Sequence, residues 1–128
     1  EYATRCQIVG DDYLVTNAAR VTHAIGDKTL NAVLIKPNQA GTITEALAAL
    51  TTARAAGFAT LVSARSGETE DVTISHLSAG WNAGQLKVGS FTRSERMAKW
   101  NESLRIEEES RAPFAGWGAL PSMVKWSA

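Results

Sequence analysis

Phe58-Ala59-Thr60-Leu61-Val62 runs directly into Ser63-Ala64-Arg65-Ser66-Gly67-Glu68-Thr69-Glu70-Asp71. The first five residues are apolar or β-branched, with the length and composition of a buried strand, and a helix opens after Asp71. Arg65, Ser66 and Gly67 therefore fall in a strand-to-helix turn. Such a turn is an anion cradle. A guanidinium holds a phosphate through two parallel hydrogen bonds, while small residues let backbone N–H groups at the helix start approach it. Arg-Ser-Gly is common in surface loops, so its meaning depends on what surrounds it.

Upstream and downstream the same strand-then-helix alternation repeats. Gln7-Ile8-Val9 is a short strand ending in Gly10-Asp11-Asp12, and Asn17 caps a helix that runs to about Ile25, with Val21, Ala24 and Ile25 as its apolar stripe and Gly26 closing it. Ala32-Val33-Leu34-Ile35 is a strand buried on both faces that stops at Lys36-Pro37. Thr42-Ile43-Thr44-Glu45 has the capping-box form; Ala46, Leu47, Ala49, Leu50 and Ala53 give the helix its packed face, and Gly57 stops it. After the Arg-Ser-Gly turn, Val72, Ile74 and Leu77 mark a short helix. Leu86-Lys87-Val88-Gly89 is the fourth strand. Thr92-Arg93-Ser94-Glu95 is a second capping box, opening a helix whose Met97, Trp100 and Leu104 recur as a core stripe. From Ser110 onward Pro113, Gly116, Gly118 and Pro121 break the periodicity. Phe114, Trp117 and Trp126 make this an aromatic tail that either wraps onto the domain or meets a partner.

Length and composition set the bounds. The 128 residues are 45% hydrophobic, which suits one globular domain with a core of its own. Thirteen basic residues balance thirteen acidic ones with no run of like charge, so neither a nucleic-acid nor a membrane-surface partner is expected. No apolar stretch approaches the roughly 20 residues of a membrane span, and no signal-peptide pattern opens the sequence, so a cytoplasmic protein is expected. The single Cys6 reads as a small buried hydrophobe in a reducing compartment. His23 and His76 have no second ligand at metal spacing and read as surface or partly packed histidines.

The strand ends fall near Asp11, Lys36, Ser63 and Lys87, about 25 residues apart. Parallel strands with crossover helices belong either to a doubly wound sheet or to a (β/α) barrel, and both carry their chemistry at the C-terminal ends of strands. Those ends hold a carboxylate pair, a lysine, the Arg-Ser turn and a second lysine. A carboxylate facing two lysines suits Mg²⁺ and an anionic substrate, and lysines crowded in a low-dielectric site give up a proton more readily, so that one can act as a base. A receiver-like phosphoacceptor domain fits the length and the early Asp-Asp pair. It lacks the aspartate such a fold needs at the end of a middle strand, where this chain has Lys36 and Ser63-Ala64.

Long motifs carry a resemblance beyond this pattern. Ile8-Val9-Gly10-Asp11-Asp12 with Val15-Thr16-Asn17, Leu34-Ile35-Lys36 with Asn38-Gln39, Ser66-Gly67-Glu68-Thr69-Glu70-Asp71, and Arg93-Ser94-Glu95-Arg96 with Leu104-Arg105-Ile106-Glu107-Glu108 stand at ungapped spacings. Over Gln7 to about Glu109 the chain resembles the C-terminal part of the enolases, the phosphopyruvate hydratases of glycolysis. The resemblance implies an α/β fold: the C-terminal half, about four βα units, of an enolase-type TIM-like (β/α) barrel over residues 1–109, followed by the tail 110–128. It implies a Mg²⁺-dependent lyase that dehydrates 2-phosphoglycerate to phosphoenolpyruvate. Position by position, Asp11 corresponds to a ligand of the catalytic Mg²⁺ and Lys36 to the base that removes the C2 proton. Arg65 and Ser66 correspond to the phosphate-binding pair, and Lys87 to the lysine that contacts the substrate carboxylate.

Two departures accompany the resemblance. Ala64 stands where the family has a histidine, and an alanine can neither donate a hydrogen bond nor relay a proton. The family's general-acid glutamates and its other two metal-ligand carboxylates have no counterpart in these residues. The expected partners are thus a small phosphorylated substrate and an N-terminal enolase-like chain, or an oligomer, that completes the site. Alternatives are a catalytically inactive structural or interaction subunit, and a homologue acting on a related phosphono-enolate.

Overall fold

A computed structural model of the chain describes residues 2–125, and Trp126 lies outside the described residues. Four strands, β1 (Val9–Gly10), β2 (Ala32–Ile35), β3 (Ala59–Ser63) and β4 (Gly84–Lys87), pair in parallel in the order β1-β2-β3-β4. Helix α1 (Ala18–Asp27) joins β1 to β2, the single turn α2 (Pro37–Ala40) and α3 (Ile43–Ala55) join β2 to β3, α4 (Thr73–Gly80) joins β3 to β4, and α5 (Ser94–Ser110) follows β4. This order separates the two architectures that the alternation left open. Right-handed crossovers between strands laid down in one direction put every helix on the same side, whereas a doubly wound sheet reverses its strand order at a switch point. Among the described residues the order never reverses, so the sheet is a segment of a (β/α) barrel.

Both faces of the two central strands are buried, by different means. Val33, Ile35 and Val62 turn toward the helices and pack with Val21, Leu50 and Phe58. Their alternates Ala32, Leu34, Ala59 and Leu61 form a second cluster on the concave face. Gln7 and Gln85 exchange hydrogen bonds of 3.0 and 2.9 Å across this concavity, and Gln85 Nε2 also donates to Ala119 O at 2.9 Å. The tail therefore wraps onto the barrel's lower end: Pro121 and Val124 are buried, and Lys125 N donates to Thr4 O.

Local chemistry fixes where the strands begin and end. Asn31, fully buried, accepts from Ile8 N at 2.7 Å and donates to Ala3 O and Cys6 O at 2.9 Å each, pinning the segment ahead of β1. At Gly10 an added Cβ would lie 2.5 Å from Leu14 Cδ1 and 2.7 Å from Leu30 Cδ2, so a larger residue before Asp11 would push both leucine side chains aside. Asn17 caps α1 by accepting from Ala19 N and Arg20 N. Thr42 caps α3 by accepting from Glu45 N, and its hydroxyl donates to Glu45 Oε2 at 2.7 Å.

Several expectations need correction. The first strand starts at Val9, not Gln7, because the Asn31 amide takes the Ile8 N–H. Lys28, left-handed at φ 54°, ends α1 in place of Gly26, which lies inside it. Leu47 is exposed on α3. The fourth strand spans Gly84–Lys87 and stops at the lysine. The second capping box does not form: Arg93 is the cap residue without a side-chain bond, Thr92 pairs with Ser90, and Glu95 pairs with Arg93 at 2.8 Å. Cys6 is exposed, not buried.

Helix α5 departs furthest from the expected packing. Leu104 is 64% exposed, Met97 and Trp100 are half-buried, and Trp100 stacks on the exposed Phe91 at 5.1 Å between ring centres. The face that α5 buries carries Arg96 and Lys99 instead.

Candidate active site

The strand alternation that makes the concave cluster also selects the polar residues above it. Val9 pairs with Ala32, and Ser63 with Lys87, so Asp11, Lys36 and Lys87 continue the concave rows of β1, β2 and β4 at one rim of the sheet. Arg65 and Ser66 follow β3 at the same rim.

Asp11 and Lys36 are brought into contact. Lys36 Nζ donates to Asp11 Oδ1 at 2.5 Å and lies 3.9 Å from Asp12 Oδ1. The Lys36 side chain is 10% exposed and that of Asp12 91%, so Asp11 is the partner inside the site and Asp12 faces solvent. The neighbour of Lys36 is thus a carboxylate, not a crowding second lysine.

The backbone beneath this pair is held by a residue the sequence reading passed over. Thr16 is buried; its hydroxyl accepts from Lys36 N at 2.9 Å and donates to Gln39 Oε1 at 3.1 Å. Val15 (φ 45°) and Thr16 (φ 55°) are both left-handed. For β-branched residues that conformation costs about 1–3 kcal/mol each, and such strain gathers where a side chain must be aimed. Here it turns the hydroxyl under Lys36. No periodicity signals this; only Val15-Thr16-Asn17 as a motif beside Asp11 could have pointed to it.

The Arg65–Ser66 turn is built differently. Arg65 is half-buried and Ser66 exposed. Among the described residues, neither the Arg65 guanidinium nor the Ser66 hydroxyl takes part in a hydrogen bond or ion pair, and the N–H groups of Ser66 and Gly67 donate none. The turn is tied down from behind, through Arg65 N to Glu68 Oε1 at 2.6 Å and Arg96 Nη2 to Ser66 O at 2.9 Å. Farther along, Asp71 Oδ1 accepts from Thr73 N at 2.8 Å, and hydrogen bonding to Thr73 holds its carboxyl below the ordinary aspartate range, with a smaller contribution from the Lys99 charge. Ala64 is buried, and its N–H donates to Lys87 O at 2.9 Å. Lys87 itself is exposed. No hydrogen bond joins Lys87, Arg65 or Ser66 to the Asp11–Lys36 pair among the described residues.

For a divalent cation the described residues offer one corner. Among them no three His, Cys, Asp or Glu side chains converge as a metal site. Asp11, partly exposed with Oδ2 unengaged, is the oxygen donor suited to Mg²⁺, which is commonly held by one or two carboxylates plus substrate and water. His23 pairs with Asp27 and His76 with Glu102 on the surface. Among the described residues no helix is long and apolar enough to cross a membrane.

Residues 1–121 match the family model described as enolase, C-terminal TIM barrel domain. The chain is 53% identical over 105 residues to an enolase of Anaplasma marginale (strain St. Maries), covering 82% of this chain. It is 52% identical over 124 residues, 95% of the chain, to an enolase of Acidothermus cellulolyticus. These matches span 24% and 29% of the two relatives' lengths, less than a third of either.

Proposed function

The chain belongs to the enolase family, and from that premise we propose that it is the C-terminal barrel segment of a phosphopyruvate hydratase, a glycolytic lyase of the cytoplasm converting 2-phosphoglycerate to phosphoenolpyruvate. In this reading residues 1–109 are the barrel segment and 110–128 an aromatic-bearing tail. Polypeptide outside these residues, as a separate N-terminal chain or an oligomer partner, supplies the general acid and the remaining metal ligands.

The observation that carries the reading is the row of Asp11, Lys36, Arg65, Ser66 and Lys87 along one rim of a singly wound parallel sheet. Each has a task there. Lys36 Nζ, once neutral, takes the proton from C2 of the substrate. Arg65 and Ser66 hold the phosphate together with the open N–H groups of the turn. Lys87, exposed at the rim, meets the substrate carboxylate. A carbon acid this weak is deprotonated only if the second negative charge is neutralised as it forms. Asp11 would hold Mg²⁺, which would supply that neutralisation, as in enolase-superfamily sites generally. The Lys36 ammonium, which holds Asp11 Oδ1 here, would have to share that carboxylate.

Ala64 favours a second reading, in which the subunit is catalytically inactive and structural, or acts on a related phosphono-enolate. Co-expression with an N-terminal enolase chain and assay of Mg²⁺-dependent phosphoenolpyruvate formation separates the two. Turnover that is lost in Lys36→Ala supports the hydratase. No turnover, or turnover unaffected by Lys36→Ala, rejects it.

A further inference from the structure

The segment between β3 and α4 contains Gly67 and no regular secondary structure, yet two cations of α5 grip it from below. Lys99 is fully buried; its Nζ donates to Thr69 O at 2.7 Å and Glu95 O at 2.9 Å and lies 3.0 Å from Glu68 Oε2. Three partners match the three protons of an ammonium. The other oxygen of Glu68 accepts the Arg65 N–H at 2.6 Å, so one carboxylate links the buried ammonium to the backbone of the anion-binding arginine. Arg96, also buried, donates from Nη2 to Ser66 O at 2.9 Å and from Nη1 to Val88 O at 3.0 Å, joining this turn to the one that follows Lys87.

We propose that Lys99 and Arg96 are positioning residues that set the turn 65–69 in its phosphate-binding shape, Lys99 acting through Glu68. The inference rests on reading that turn as the phosphate site. Across a trans peptide the C=O of one residue and the N–H of the next point in opposite directions. Drawing the Ser66 carbonyl down onto Arg96 therefore aims the Gly67 N–H away from α5, toward the open side of the turn. Drawing the Thr69 carbonyl onto Lys99 does the same for the Glu70 N–H. Replacing buried charges by apolar groups of similar volume is often neutral for stability, so holding α5 in place does not by itself call for these cations. What the cations add is direction.

The test is calorimetric titration of inorganic phosphate into the full protein that carries this chain, with unfolding followed in parallel. Lys99→Met and Glu68→Gln are compared with Arg65→Ala and with Leu50→Ala, a core change remote from the turn. Lys99→Met is expected to weaken phosphate binding by about tenfold or more, the usual consequence of removing a supporting partner, and Glu68→Gln by about threefold or more. Leu50→Ala is expected to lower stability without changing phosphate affinity, which separates positioning from general loosening. If Arg65→Ala abolishes binding while Lys99→Met and Glu68→Gln stay within about twofold of wild type, the positioning role is overturned and the phosphate site stands. If Arg65→Ala has no effect, the phosphate reading itself fails. Should Lys99→Met not fold, Glu68→Gln decides by the same thresholds.

Discussion

The two halves of the rim achieve order by opposite routes. At the ends of β1 and β2, Asp11, Thr16, Lys36 and Gln39 satisfy one another, in a nest built by adjacent elements and aimed by two strained residues. At the ends of β3 and β4 the Arg65–Ser66 turn leaves its ligand-facing groups free and takes its shape from Arg96 and Lys99, some thirty residues away on α5. The first arrangement suits a group whose proton must be controlled. The second suits one that waits for an anion. A site divided in this way should answer differently to substitutions in each half.

The sharpest expected difference is at Lys36. Lys36→Ala in the full protein removes the base of the proposed reaction, and general base catalysis is worth about 10²–10⁴-fold in turnover. Phosphate affinity, which belongs to the other half, is expected to stay within about twofold by calorimetry. Retention of most of the activity would mean that the self-contained half is not the reactive one. Next in size is Thr16→Val, which keeps the shape but leaves the buried Lys36 N–H and the Gln39 carbonyl without their hydroxyl. Chemical denaturation should register a loss of about 1–3 kcal/mol. A smaller loss would show that the left-handed strain at residue 16 serves something other than this bond.

This division also decided what the sequence could reveal. Asp11 and Lys36 of the first half were legible because they lie at strand ends, which follow from short apolar runs such as Ala32–Ile35, whereas the supporting role of Thr16 was not. The barrel was legible from alternation together with the long motifs, and strand order then separated it from the doubly wound sheet. The support of the second half was not legible. Met97, Trp100 and Leu104 recur at i, i+3 and i+7, but so do Arg96, Lys99 and Ser103, one residue earlier around the same helix. Periodicity favours neither stripe, and hydrophobicity selects the wrong one, because Arg96 and Lys99 meet an irregular segment offering carbonyls and a carboxylate. A buried cation is hidden from hydropathy in the way a surface leucine is falsely promoted by it.

A smaller effect is expected where the second half meets α4. The Asp71 carboxyl is held low by hydrogen bonds to Thr73 and, less strongly, by the charge of Lys99. A carboxylate with a depressed folded-state pKa contributes stability above its unfolded value and loses it as the pH falls through the folded value. The stability difference between wild type and Asp71→Asn should thus be level near neutrality and shrink below about pH 4, the ordinary carboxylate range. Since Asp71 is exposed, the whole effect should stay at or under about 1 kcal/mol. A difference that persists to pH 2 would assign it to the lost geometry of the amide and not to charge.

The smallest expected change tests which stripe of α5 faces inward. If the apolar stripe were core, Leu104→Ala would cost about 2–5 kcal/mol. With Leu104 64% exposed, the change in unfolding free energy of this chain should be within about 0.5 kcal/mol. The same substitution in the full protein then becomes informative. A loss above about 1 kcal/mol there, with none in the chain alone, would mean that polypeptide outside these 128 residues covers the outer stripe. Helix α5 would then carry cations inward to shape the turn and apolar side chains outward to meet a partner, and one helix would connect the anion-binding half of the rim to whatever completes the barrel.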